Sequence, residues 1–206
     1  MQDSTEGKFA SFYDLFFEKI LERVRKQHVL ICQEHAPKNI IDLGCGTGSQ
    51  NQLLSKEGFQ TTGIDISDQM LHVAKKKNIS KAIFLKEDIL NNNFKKGSFE
   101  CATLTLVLHA NDHQTLLAIL KEATRLTDDG LIIITDYDKA QGVKGLITSI
   151  VIHVIESFAQ HSHRSSYYAF KKRGGLQKIL IEEGYTATEK AHYYGGSLKT
   201  FIIKKT

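Results

Sequence analysis

Seven residues of this chain have the types and spacing to hold a nucleotide-like ligand and to act beside it. Asp42, Gly44, Gly46 and Gly48 fall within seven positions, directly after the apolar pair Ile40-Ile41. Asp65, Asp88 and His109 follow, each at or near the end of a later apolar run. Three glycines in five positions let a ligand approach the backbone with no Cβ in the way. Carboxylates accept hydrogen bonds from sugar hydroxyls or amino groups. A neutral imidazole can take a proton near pH 7.

Positioning these groups falls to alternating strands and helices. Apolar residues at 9, 12, 13, 16, 17, 20, 21 and 24 mark a wide helical stripe. That helix is expected to run toward Cys32 and to close at Pro37, the single proline. Strands are expected over 39–43, 60–65, 82–87, 100–108 and 131–135, with helices over 48–57, 68–78 and 111–127 between them. Two further helices are read over 146–159 and 170–183. Strands over 185–194 and 198–204, joined at Gly195-Gly196, should form an antiparallel hairpin. Such alternation implies an α/β fold, a doubly wound sheet of mostly parallel strands covered on both faces.

In such sheets ligands sit at the carboxyl ends of the strands. A phosphate-binding P-loop would end in Gly-Lys-Ser/Thr, whereas Gly48 is followed by Ser49 and Gln50. A dinucleotide fingerprint needs its third glycine where Ser49 stands. Asp42-Leu43-Gly44-Cys45-Gly46-Thr47-Gly48 instead resembles, without gaps, the D/E-x-G-x-G-x-G loop of class I S-adenosylmethionine-dependent methyltransferases. Gly63-Ile64-Asp65-Ile66-Ser67 places a carboxylate at the end of the next strand, and Phe84 to Ile89 places Asp88 at the end of the third. Ser98 to Ala102 with Leu106 to His109, and Thr127 to Ile134, are similar to the family's fourth and fifth strand motifs. Glu100 stands where many members carry Asp, at the strand start and away from the cofactor edge.

The resemblance extends from Tyr13 to Lys204 and implies a Rossmann-like seven-stranded sheet, ordered 3-2-1-4-5-7-6 with strand 7 antiparallel and a helical cap. It implies S-adenosyl-L-methionine as cofactor. The residues it assigns to that cofactor are Tyr13, Asp42, Gly44, Cys45, Gly46, Gly48, Asp65, Ile66, Met70, Asp88, Ile89 and Leu106. His109 is the candidate catalytic residue, either as a base or as a group that positions the substrate. The chain reads as one domain over 1–206, with an N-terminal helical lid over 1–36 and a helical insertion over 140–183 forming part of the acceptor pocket.

Missing motifs narrow the acceptor. Amino-group methylation of bases or glutamine uses Asn/Asp-Pro-Pro-aromatic after the fourth strand; here the segment is Leu108-His109-Ala110-Asn111-Asp112. Cys101 lacks the neighbouring proline of a cytosine-C5 nucleophile, and the paired glutamates of arginine methylation are absent. His109 stands where a metal-dependent catechol site would place a carboxylate. His161 and His163 share no face with a paired ligand, so no metal is expected. Tyr137, Tyr167 and Tyr168 are candidates for the pocket wall. A small, apolar or phenolic acceptor is expected, as in the loosely similar ubiquinone/menaquinone-biosynthesis methyltransferases.

Two rivals stay open. Tyr167 to Arg173 interleaves aromatics with charge, as RNA-modifying methyltransferases can. A protein that binds S-adenosylmethionine without catalysis would keep the same loop.

Composition agrees with a soluble globular domain: 41% hydrophobic, 24% charged, net charge +4. That balance argues against DNA and gives RNA little support, and no run is long enough to span a bilayer, though peripheral membrane contact stays open. Cys32, Cys45 and Cys101 form no disulfide framework, and the start MQDSTEGK predicts no signal peptide. A cytoplasmic monomer or homodimer is expected.

Overall fold

The structure, a computed structural model, describes residues 21–157 and 161–205. Helix α1, described over 21–35, buries Val24, His28, Ile31 and Cys32, the i, i+4, i+7, i+8 face of a helix lying on a sheet. The sheet then builds in sequence order: β1 (Asn39–Leu43), α2 (Ser49–Lys56), β2 (Gln60–Asp65), α3 (Asp68–Lys76), β3 (Ala82–Lys86), β4 (Cys101–Thr105), α4 (His113–Thr127) and β5 (Leu131–Tyr137). Helices α5 (Gly142–Ser157), α6 (His161–Lys172) and α7 (Leu176–Glu182) precede the hairpin β6 (Tyr185–Tyr193) and β7 (Leu198–Lys205).

The seven strands lie in the order β3-β2-β1-β4-β5-β7-β6. Strands β1 to β5 pair in parallel, and β7 runs antiparallel between β5 and β6. Central β1, β4 and β5 are buried along nearly their whole length, as strands covered on both faces must be. Ile41, Leu43, Ile64 and Leu104 are fully buried, each contributing about 1.5–3 kcal/mol of burial free energy. No helix among the described residues is long and apolar enough to cross a membrane.

Three boundaries differ most from expectation. Strand β4 stops at Thr105, because Leu106 turns left-handed (φ 58°) while its amide still donates to the Thr135 carbonyl at 2.9 Å. His109 therefore sits not on the strand but on a 3-10 turn, Leu108–Ala110. The helix expected over 170–183 is two helices, broken at Gly174 and Gly175 (φ 104° and 86°). A Cβ on Gly175 would lie 2.8 Å from the Asp138 Cα, so the chain turns there to pack against the exit of β5. Helix α5 begins at Gly142, four residues earlier than its apolar run. Its last expected residues, 158 and 159, lie outside the described residues.

Candidate functional site

Parallel strands deliver their carboxyl ends to one edge, and the predicted residues gather there. The loop after β1 closes on itself and on β2. The amides of Gly44 and Cys45 donate to the Ile64 carbonyl at 2.9 and 3.0 Å, and that of Gly46 to Asp65 Oδ2 at 2.8 Å. Asp65 Oδ1 accepts the Ser67 amide at 2.9 Å. Each oxygen of Asp65 thus keeps lone-pair capacity for one more donor.

Two cavities flank this loop and share Gly44. One, of about 440 Å³, is lined by Asp42, Cys45, Gly46 and Met70 among the expected residues, and by Arg25, Gln50 and Thr105. The other, of about 350 Å³, is lined by Asp65, Ile66, Asp88, Ile89 and Leu106. Ile66 is 71% exposed, an apolar face available to a flat ring. Asp88 steadies its own turn, its Oδ1 accepting the Leu90 amide at 2.9 Å.

The first cavity is polar at its floor. Asp42 is buried and accepts the Thr103 hydroxyl at 2.7 Å. Burial pushes its carboxyl up to about 6, against the pull of that hydroxyl and of Arg25. Gln50 Oε1 and Thr105 Oγ1 are buried and find no hydrogen-bond partner among the described residues. Orphaned acceptors and hydroxyls in a cavity beside a buried carboxylate call for a ligand that carries donors. Burial pushes the Cys45 thiol up, so it is no nucleophile.

The three glycines divide the work. A Cβ on Gly46 would meet nothing within 4 Å, so its open face belongs to whatever fills the cavity. A Cβ on Gly48 would lie 2.6 Å from the Phe84 ring, and Gly48 lines neither cavity. Its role is to seat the loop on β3. Tyr13 lies outside the described residues.

His109, expected to face the reaction site, lines neither cavity and is buried. Its Nδ1 lies 2.7 Å from Asp136 Oδ1, and the other Asp136 oxygen accepts the amides of Leu108 (2.8 Å) and His109 (3.3 Å). The Tyr137 ring lies tilted against that of His109 at 4.5 Å between centroids, with Tyr167 and Phe170 edge-on at 6.3 and 6.4 Å. Tyr137 and Tyr167 are buried in this cluster, whereas Tyr168 is partly exposed and lies beside His153. No group of three metal-ligating side chains occurs among the described residues.

Arg25, Gln50, Thr105 and Asp136 escaped the sequence reading as cofactor or positioning residues. A signal for Asp136 existed: it ends an apolar strand just as Asp65 does. Nothing comparable marks Arg25, which reaches the site only because α1 lies across it.

A family of methyltransferase domains matches residues 40–130. The carboxy-S-adenosyl-L-methionine synthase of Campylobacter hominis is 30% identical over 151 residues, covering 69% of this chain and 62% of that protein. An 18S rRNA (guanine-N(7))-methyltransferase of Bos taurus is 34% identical over 84 residues, 40% of this chain and 30% of its own length. The chain thus spans less than two thirds of these relatives. Among solved structures, a plantazolicin methyltransferase in complex with SAH superposes with a TM-score of 0.65 at 20% identity, covering 99% of this chain and 91% of the other. That likeness shows the fold.

Proposed function

We propose that the chain is a class I S-adenosylmethionine-dependent methyltransferase that transfers a methyl group to a small, apolar or phenolic acceptor. The observation that carries the reading is the pair of cavities meeting at Gly44, each with its own buried or strand-end carboxylate. When bound, S-adenosylmethionine supplies an electrophilic methyl on a positively charged sulfur.

The residues fit that cofactor. Asp65, with one lone pair left on each oxygen, would accept the two ribose hydroxyls, while the Gly46 and Ser67 amides hold it in place. Ile66 and Ile89 would offer apolar surface to the base, and Asp88 would accept from its amino group. Asp42, Gln50 and Thr105 would receive the ammonium of the methionine end, and Arg25 its carboxylate. The protein's contribution is alignment, which supplies up to about 7–11 kcal/mol in favourable systems.

His109 serves as a positioning residue. Through Asp136 it fixes the turn that carries Ala110 and Asn111 to the wall of the adenosine-side cavity. Burial of Tyr167 and Phe170 in the core leaves Tyr168 as the exposed aromatic of that run, which weakens an RNA reading. The matched segment of the rRNA methyltransferase keeps RNA as the second reading.

The test is transfer of radiolabelled methyl from S-adenosylmethionine to a panel of phenols, hydroquinones, apolar carboxylic acids and ribosomal RNA. Label in a phenolic or apolar product supports the proposal; label in RNA alone replaces it. Binding of S-adenosylhomocysteine with no transfer to any acceptor supports a non-catalytic binding protein.

A further inference from the structure

A third cavity, of about 720 Å³, shares no lining residue with the two at the glycine loop. It lies where the exit of β5, the end of α6, α7 and β7 meet. Each of these four elements lines it with a lysine: Lys139 just after β5, Lys171 of α6, Lys178 of α7 and Lys199 of β7. Only two carboxylates line it, Asp138 and Glu182.

Both acids are already committed. Asp138 is buried, its Oδ1 accepting the Lys139 amide at 2.6 Å and its Oδ2 the Gln177 amide at 2.7 Å. Glu182 pairs with Lys178 at 3.5 Å. Lys199 is held by Glu189 at 3.1 Å, by Gln177 Oε1 at 3.2 Å and by Asp138 Oδ1 at 3.8 Å. Lys171 is different. Its ammonium donates to the Asp138 main-chain carbonyl at 2.9 Å, and no carboxylate of the described residues pairs with it. Partial burial lowers its pKa, a penalty that the nearby charge of Asp138 offsets only in part.

Four ammonium groups against three carboxylates, Asp138, Glu182 and Glu189, leave the cavity one negative charge short. A phosphate dianion fits that deficit: its oxygens accept from several lysines at once, and lysine is a compact point donor suited to it. Ile181, 60% exposed at the rim, adds an apolar contact that a free ion could not use. We propose that this cavity binds a small organic phosphate, its phosphate group toward Lys171 and its apolar part on Ile181. The site is separate from the methyl-transfer site and does not depend on that reading.

The experiment is an amide-shift NMR titration of the full chain at constant ionic strength. The probes are phenyl phosphate, inorganic phosphate and benzoate. Phenyl phosphate should shift the amides of Ala140, Gly174 and Gln177 saturably and leave Gly44 and Gly46 in place. It should bind more tightly than inorganic phosphate, and benzoate should fail. Lys171→Gln should weaken phenyl phosphate by about tenfold, or about 1.4 kcal/mol, and Lys178→Gln, on the exposed side, by a smaller factor with its melting temperature unchanged. Absence of saturable shifts, shifts confined to the glycine loop, or full affinity in both lysine variants would overturn the site. Inorganic phosphate binding as tightly as phenyl phosphate, or benzoate binding equally well, would overturn the ligand class.

Discussion

The amide of Gly46 donates to Asp65 at 2.8 Å, tying the tip of the loop after β1 to the end of β2 nineteen residues later. One side chain thus shapes the loop and faces the cavity. Asp65→Ala should weaken S-adenosylhomocysteine about 10- to 100-fold, the loss of two charged hydrogen bonds partly offset by water. Asp65→Asn should retain more affinity than Ala, since its one carbonyl oxygen can still accept. Calorimetric titration checks this, and an unchanged Kd in Asp65→Ala would remove the residue from the site.

Gly46 and Gly48 should respond differently to the same substitution. Both have positive φ (52° and 72°), so alanine strains either by about 1 kcal/mol. Only at Gly48 does the new methyl also strike the Phe84 ring. Gly48→Ala should therefore lower the melting temperature more, and Gly46→Ala should lose more ligand affinity. Equal melting temperatures would contradict the division of roles.

For His109, asparagine separates positioning from proton transfer. Its amide nitrogen can replace Nδ1 as donor to Asp136, whereas alanine leaves that carboxylate short of a partner. His109→Ala should cost about 2–4 kcal/mol of stability. His109→Asn should fold normally and retain methyl transfer within about tenfold of the parent, with an unchanged pH profile. A thousandfold loss in a well-folded Asn variant would restore a base.

Acid sensitivity has an assignable source. Burial pushes His28 from its ordinary 6.5 down to about 3, its Nε2 held 2.8 Å from the Thr135 hydroxyl. Below pH 6.5 the unfolded chain binds a proton that the folded chain refuses, so this contribution is present above 6.5 and lost as the pH falls toward 3. His28→Gln keeps the hydrogen bond and should gain on the parent by up to about 1.4 kcal/mol per pH unit of acidification. Urea melts between pH 7 and 4 measure the gap; parallel profiles would contradict it.

Asp42 has the opposite sign. Its folded pKa, raised from 3.8 to about 6, makes its stabilising contribution complete below 3.8 and lost as the pH rises through 6. Ligand binding should oppose this, because a cationic ammonium favours the ionised carboxylate. Affinity for S-adenosylhomocysteine should fall below pH 6 by up to about tenfold per unit, and Asp42→Asn should flatten the dependence. A parent affinity constant from pH 7 to 5 would sink the assignment.

The strands and their parallel pairing were legible because buried parallel strands leave apolar runs and glycines mark the turn between them, whereas the strand order came from the resemblance to the methyltransferase family. Asp42, Asp65 and Asp88 could be placed for the same reason: each ends a run whose direction the alternation dictates. His109 could not. Its side-chain direction depends on Leu106 entering a left-handed turn, and a leucine carries no signal for that. Nor could the break at Gly174-Gly175 be told from a tolerated helical glycine, since the reason for it is Asp138, more than thirty residues earlier. The aromatic run at Tyr167 looked like surface because lysines follow it, yet its helix turns two of those rings inward.

A β-carbon on Gly44 would lie 2.8 Å from Val107 Cγ2, so the loops after β1 and β4 mesh like gear teeth with no clearance. Residue 44 is barred from gaining bulk twice over, by Val107 and by its left-handed φ of 73°. Freedom to vary lies on the Val107 side alone, and a library that randomises the β4 exit to admit larger acceptors should begin by shrinking Val107.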